Sequence, residues 1–185
     1  MKQTVFLDID TQYDFMNPKG KLYVKDAKDI IPNLRKLTAF AEKHKITIIS
    51  SLDVHTKNDP EFKMFPAHCV KKSPGAAKIK ETRGLETRQL FIPKHTFDVF
   101  SNPKTKQILS KFKSAFVYGV ALDYCVKAAC LGLVDSGIKT YLVKDATKAV
   151  SPKTGSQTLR LLKSKGINFI NTKELIERMP LWKKE

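Results

Sequence analysis

The chain has 185 residues, 34 Lys and Arg against 18 Asp and Glu, a net charge of +16, and 42% hydrophobic residues. A chain of that length hides roughly two-thirds of its unfolded surface in one core, and no segment approaches the ~20 consecutive apolar residues of a membrane span. Its three cysteines stand at unrelated spacings, which argues against a disulfide framework and fits a reducing cytoplasm.

The first apolar run, Val5 to Leu7, reads as a short buried strand. Asp8 and Asp10 interrupt it, so it does not read as a secretory leader, and a cytoplasmic location is expected. Ile30, Leu34, Leu37, Phe40 and Ala41 then share one helical face that ends near Lys45. A second strand is expected over Ile46–Ser50 and a third over Leu90–Ile92. Between them, Thr56 to Arg88 is long and carries little regular pattern, as functional loops do. Ile108, Leu109 and Phe112 point to a short helix, followed by a fourth strand over Ala115–Tyr118. Next come a helix from Tyr124 to Ser136, a strand over Thr140–Val143 and a helix opened by Ser151 and Pro152 and closed before Gly166. A last strand, Asn168–Ile170, precedes a helix over Thr172–Arg178 with Thr172 as its N-cap. Alternation of this kind predicts a single α/β domain over residues 1–185, with three αβα layers and a mostly parallel central sheet.

In such sheets, ligands collect beyond the carboxyl ends of the strands. Asp10, Asp53 with His55, Lys94 and Cys125 follow the first four strands and would converge at that edge. Taken alone, Cys125 reads equally as a small apolar residue under the sheet, and Lys94 as a surface lysine. Together with Asp10 they form a coherent set. A thiol in the first turn of a helix is expected to have a lowered pKa. Asp10 could take its proton and return it to a leaving group, and Lys94 would balance the charge.

A second cluster joins Asp53 and His55, two apart on an extended chain, to His68 in the long loop. With Glu61 as a fourth donor it offers two nitrogens and two carboxylates for Zn²⁺, Fe²⁺ or Mn²⁺. Cys69 is expected to pack, and His44 and His95 to be structural or solvent-facing. The basic residues, among them Lys19, Lys21, Lys36, Lys43, Lys78, Lys104, Lys113, Lys163 and Lys183, are dispersed. They predict a solvated surface and no specific nucleic-acid partner.

The order of these motifs resembles the isochorismatase-like cysteine hydrolases over essentially the whole chain. Asp10, Gln12, Asp14 and Phe15 are similar to the family's opening motif, Lys94 falls at its lysine, and Gly119 through Val126 is similar to its nucleophile motif. Asp53 and His55 followed by Pro66, Ala67, His68, Cys69 and Val70 resemble the metal motif of the family's nicotinamidase branch. The resemblance implies a catalytic triad of Asp10, Lys94 and Cys125 and a divalent metal, Zn²⁺ foremost. It also implies an oxyanion hole from the backbone of Ala121 and Cys125, with a cis peptide between Val120 and Ala121. Phe15 would stack on the substrate ring, Phe65 stands where many members carry tryptophan, and Tyr124 where many carry histidine.

The implied reaction is hydrolysis of nicotinamide to nicotinate and ammonia through a cysteine thioester, in NAD salvage. Another small carboxamide of the pyrazinamide kind is the alternative substrate, and a non-catalytic member binding through its basic surface is the remaining one. Met179 to Trp182 is an apolar segment that would either pack against a second copy in a homo-oligomer or tether the tail.

Overall fold

The computed structural model describes residues 3–84 and 89–179. Six strands form one sheet: β1 (Thr4–Ile9), β2 (Thr47–Asp53), β3 (Gln89–Lys94), β4 (Ser114–Val120), β5 (Lys139–Lys148) and β6 (Asn168–Ile170). All neighbours pair parallel, in the order β3-β2-β1-β4-β5-β6. The three-layer α/β expectation holds. The helices are α1 (Tyr13–Met16), α2 (Ile31–His44), α3 (Lys104–Leu109), α4 (Lys127–Asp135), α5 (Pro152–Ser164) and α6 (Thr172–Arg178).

Strand alternation divides the core in two. Phe6, Ile48, Phe116 and Tyr118 meet Leu34, Leu37 and Ala41 of α2 and Leu175 of α6 on one face. Val5, Leu7, Ile49 and Val117 meet Leu109 of α3, Ala129 and Leu133 of α4 and Leu162 of α5 on the other. Both faces are covered, which is why the strands read as continuous apolar runs. Met179 is buried in the first core, and residues 180–182 of the expected apolar tail lie outside the described residues. Among the described residues no helix is long and apolar enough to cross a membrane.

Two expectations need correcting. The N-cap of α6 is Asn171, whose side chain accepts from the Glu174 N–H, while Thr172 is the first helical residue and its hydroxyl donates to Asp145. Either residue type can cap, and only the backbone turn chooses between them. Lys78, expected on the solvated surface, is buried and paired with Asp8 inside the sheet's edge. It also donates to the Thr11 hydroxyl at 2.6 Å. Beside it, Ile79 N–H donates to Thr11 O and Tyr13 N–H to Ala77 O, so the long segment between β2 and β3 is pinned across the chain leaving β1.

That pinned segment consists of short 3₁₀ turns, Pro60–Lys63, Pro74–Ala76 and Lys80–Thr82, with residues 85–88 outside the described set.

Sheet order reverses direction between β1 and β4, and ligands of such sheets gather at the carboxyl ends of that switch point. Close approach at that point requires Gly119. Its φ is +112°, and a Cβ added there would stand 2.1 Å from the carbonyl oxygen of Ile9. Gly119→Ala is therefore expected to destabilise the fold by about 3 kcal/mol, read as a lowered melting temperature. A melting curve superimposable on the parent's would contradict this packing.

Candidate active site

The switch point brings together side chains from four elements. β1 ends at Ile9, and Asp10 turns out of the strand at φ +49°, fully buried. β2 ends with Asp53 and β3 with Lys94, which are register partners in the sheet. After β4 and the cis Val120–Ala121 peptide, Leu122–Val126 forms a π-helical turn that carries Cys125 into α4. The third expected helix thus begins two residues earlier than Tyr124, and Cys125 lies in its widened first turn.

Lys94 is the hub. Its Nζ stands 2.8 Å from Asp10 Oδ2, 3.0 Å from Asp53 Oδ1 and 3.8 Å from Cys125 Sγ. Burial alone would favour the neutral amine, but Asp10, Cys125 and Asp53 outweigh it and hold the ammonium well above its ordinary pKa. Burial raises the Asp10 carboxyl above the usual range, although Lys94 pulls against it. That places Asp10 nearer the range in which a carboxylate exchanges protons usefully.

The expected lowering of the Cys125 pKa is not what the structure shows. Burial pushes the thiol well above its ordinary value; Lys94 opposes this and the Asp10 carboxylate adds to it. A helix terminus supplies only a partial charge, which desolvation next to a carboxylate overrides. Burial thus favours the protonated thiol at rest, with proton transfer reserved for the reaction. Cys69 and Cys130 are buried and raised by burial as well. Cys69 packs with its N–H donating to Asp14 Oδ2 at 2.8 Å.

The second cluster adjoins the first through Asp53. Asp53 Oδ2 lies 3.0 Å from His55 Nε2 and 3.2 Å from His68 Nε2, so two imidazoles aim at one carboxylate oxygen. Burial works to raise Asp53, but His55, His68 and Lys94 outweigh it and hold its carboxyl below the usual range. Burial likewise works to lower His55, yet Asp53 and then Asp59 and Glu61 raise it to about 9. His68 donates its Nδ1–H to Pro66 O at 2.8 Å, which leaves Nε2 as the atom for an ion. Two imidazole nitrogens and a carboxylate oxygen, all buried and mutually within 4.8 Å, fit a borderline divalent ion such as Zn²⁺, Fe²⁺ or Mn²⁺.

Glu61 does not join Asp53 and His68. It groups with His55 and Asp59, whose Oδ2 lies 3.0 Å from His55 Nδ1. Phe15 is buried with its ring centroid 5.4 Å from that of His68. Phe65 is half-buried in the loop, while Phe62 packs on both histidines, at 5.3 Å from His55 and 5.7 Å from His68. Tyr124 is 43% exposed. It lines a surface cleft of about 300 Å³ with Lys127, Gln157 and Leu161, and that cleft holds none of Asp10, Lys94 and Cys125. His95 is exposed.

Sequence reasoning met Gln12 only as a motif residue, with no role assigned, and missed three other supporting residues. Gln12 accepts the Asp53 N–H at 2.7 Å and donates to Asp53 O at 2.8 Å and Ala76 O at 3.0 Å, clamping β2 and the loop together. Ser51 donates to Asp10 Oδ1 at 2.6 Å. Phe62 walls the histidines, and Asp59 faces the far side of His55. Only Asp59 left a local signal, since an Asp followed by Pro60 is the start pattern of the 3₁₀ turn it caps.

A thiol, a carboxylate and an ammonium at the switch point of a parallel α/β sheet are the equipment of a cysteine-nucleophile enzyme. Comparison with known proteins agrees with the fold and makes it specific. The Isochorismatase domain matches residues 4–174, and the chain belongs to that family. A nicotinamidase of Saccharomyces cerevisiae is 26% identical over 209 residues, covering 88% of this chain and 97% of the relative. A probable inactive nicotinamidase of Arabidopsis thaliana is 23% identical, covering 96% and 97%. The crystal structure of a pyrazinamidase of Pyrococcus horikoshii in complex with zinc aligns with a TM-score of 0.85 and 28% identity, covering 91% of this chain and 99% of that one.

Proposed function

We propose that the protein is a metal-dependent amidohydrolase that converts nicotinamide and water to nicotinate and ammonia, serving NAD salvage. The observation that carries this reading is the position of Lys94, whose one ammonium ties the buried Asp10 and Asp53 to the half-buried Cys125. The relatives named for nicotinamidase and pyrazinamidase activity support the substrate class.

The chemistry follows from the geometry. Asp10 takes the Cys125 proton as Sγ attacks the carboxamide carbon, a transfer favoured because burial has raised the Asp10 carboxyl. The backbone N–H groups of Ala121 and Cys125 donate to the oxyanion as it forms. Asp10 returns the proton to the departing nitrogen and ammonia leaves. Asp10 then draws a proton from water as that water attacks the thioester and passes it to Sγ as the C–S bond breaks, which restores the thiol and releases nicotinic acid that ionises to nicotinate. Lys94 stays protonated throughout and offsets the carboxylates on either side of it.

Asp53, His55 and His68 would hold the divalent ion, with Glu61 close to the Nδ1 side of His55. The zinc complex of the Pyrococcus relative favours zinc. When bound, the ion supplies a Lewis acid to which a pyridine-type nitrogen is directed. Phe15, Phe62 and Phe65 would supply aromatic surface for the ring, and Tyr124, beside the nucleophile, faces the outer cleft.

Ammonia release from a panel of nicotinamide, pyrazinamide and aliphatic amides tests the reading. Nicotinamide is expected to give the highest kcat/KM; a preference for an amide without a ring nitrogen would replace the proposed substrate. His68→Ala is expected to reduce bound metal from about one ion per chain by removing one of three donors, measured by elemental analysis after dialysis. Full metal retention in that variant would remove His68 from the ligand set.

A further inference from the structure

Parallel pairing of β1 with β2 stops at Ile9 opposite Ser51. The next residue, Asp10, leaves the strand at positive φ, so its N–H loses a ladder partner. The Ser51 hydroxyl replaces that partner: it accepts the Asp10 N–H at 3.2 Å and donates to Asp10 Oδ1 at 2.6 Å. Both residues are fully buried. One hydroxyl therefore engages the backbone and the carboxylate of the same residue, which fixes the side-chain torsions as well as the turn. With Oδ1 held in this way, Oδ2 is the oxygen directed at Lys94, 2.8 Å away.

We propose that Ser51 is a positioning residue for the hydrolytic reaction, its hydroxyl orienting the Asp10 carboxylate against Lys94 and Cys125. The inference rests on the reading of Asp10 as the proton carrier of a cysteine amidohydrolase. Both hydrogen bonds of the Ser51 hydroxyl go to Asp10, and it acts through that residue. Its neighbour Ser50 points to the opposite face of the sheet and donates to Asp8, so the two serines are not interchangeable.

The charged and titratable groups facing Asp10 are Lys94 from β3, Asp53 from β2, Cys125 from the turn after β4, and Lys78 and Cys69 from the long loop. A hydrogen bond donated to a carboxylate favours its ionised form. Loss of the Ser51 hydroxyl thus leaves Asp10 both less oriented and harder to ionise.

The test uses Ser51→Ala and Ser51→Thr in the full chain. Ser51→Ala is expected to lower kcat for nicotinamide by about 10–100-fold, the scale of a misplaced catalytic group. KM should stay within about twofold with metal content unchanged, and the melting temperature should fall by only a few degrees, from the orphaned Asp10 N–H. Ser51→Thr, which keeps the hydroxyl, should restore most of the loss. Independently of nicotinamide, the acid limb of Cys125 alkylation by iodoacetamide should move to lower pH in Ser51→Ala, because an Asp10 that ionises less readily opposes the thiolate less.

A kcat within about twofold of the parent's overturns the proposal, and so does an unmoved alkylation limb. A loss accompanied by a much larger fall in stability and not restored by Thr assigns Ser51 a structural role and overturns it too. If the parent does not turn over nicotinamide yet the alkylation limb moves as expected, the substrate reading fails and the role of Ser51 stands.

Discussion

Cys125→Ala is expected to abolish ammonia release, by at least ~10⁴-fold, because no other group can form the covalent intermediate. Cys69 and Cys130 are buried and held protonated by burial, so neither replaces it. The variant should nevertheless fold and keep its metal. Lys94 still pairs with Asp10 and Asp53, and the donors Asp53, His55 and His68 are untouched. Turnover, circular dichroism and elemental analysis on one sample make the check. Turnover within tenfold of the parent would exclude a thioester route and require water to attack the amide directly.

Lys94→Met is expected to have the largest combined effect, on stability as well as on activity. It removes the cation between two buried carboxylates while keeping the length of the side chain. Breaking a buried pair in this way costs about 3–5 kcal/mol, because the partner charge is left uncompensated. For a domain of this size that corresponds to a melting temperature lower by about 10 °C.

The pH dependence has a definite sign. Burial already lifts the folded-state pKa of Asp10 above its ordinary value, and removing Lys94 lifts it further. A group with a raised folded pKa favours the fold below its unfolded pKa, and that contribution is lost as pH rises through the folded value. The deficit relative to the parent should therefore be smaller near pH ~4.5 than near pH ~8. Melting curves at the two pH values decide it. A deficit independent of pH would mean that the damage is steric and that the carboxylates are not Lys94's essential partners.

How much of this was legible in the sequence varies with the range of the interaction concerned. The central strands could be read because a sheet covered on both faces demands consecutive apolar residues, as in β4, where Ala115, Phe116, Val117 and Tyr118 are all buried. Helix α5 could be read from Ser151, Pro152 and Gly166, since capping and chain termination act within a few residues. Asn171 and Thr172 mark the limit of that method, because adjacent residues of equal capping ability cannot be ranked without the backbone torsions.

Lys78 shows a deeper limit. Nothing local distinguishes it from the solvated lysines around it, and its burial depends on Asp8, 70 residues away. The family resemblance singles out Phe65, yet the 3₁₀ turn at Pro60–Lys63 puts Phe62 against the histidines.

The sequence by itself determined the alternation of elements, the set of chemically capable residues and their places at the ends of strands. Those properties follow from periodicity and chain order, which are local. Only the tertiary structure decided what the residues do to one another: that Lys94 stands between Asp10 and Asp53, that His55 and His68 share one oxygen of Asp53, and that Ser51 holds Asp10. It also reversed the expected direction of the Cys125 pKa. Burial and the charges of distant residues set the electrostatics of a site, and both arise only once strands separated by tens of residues lie side by side.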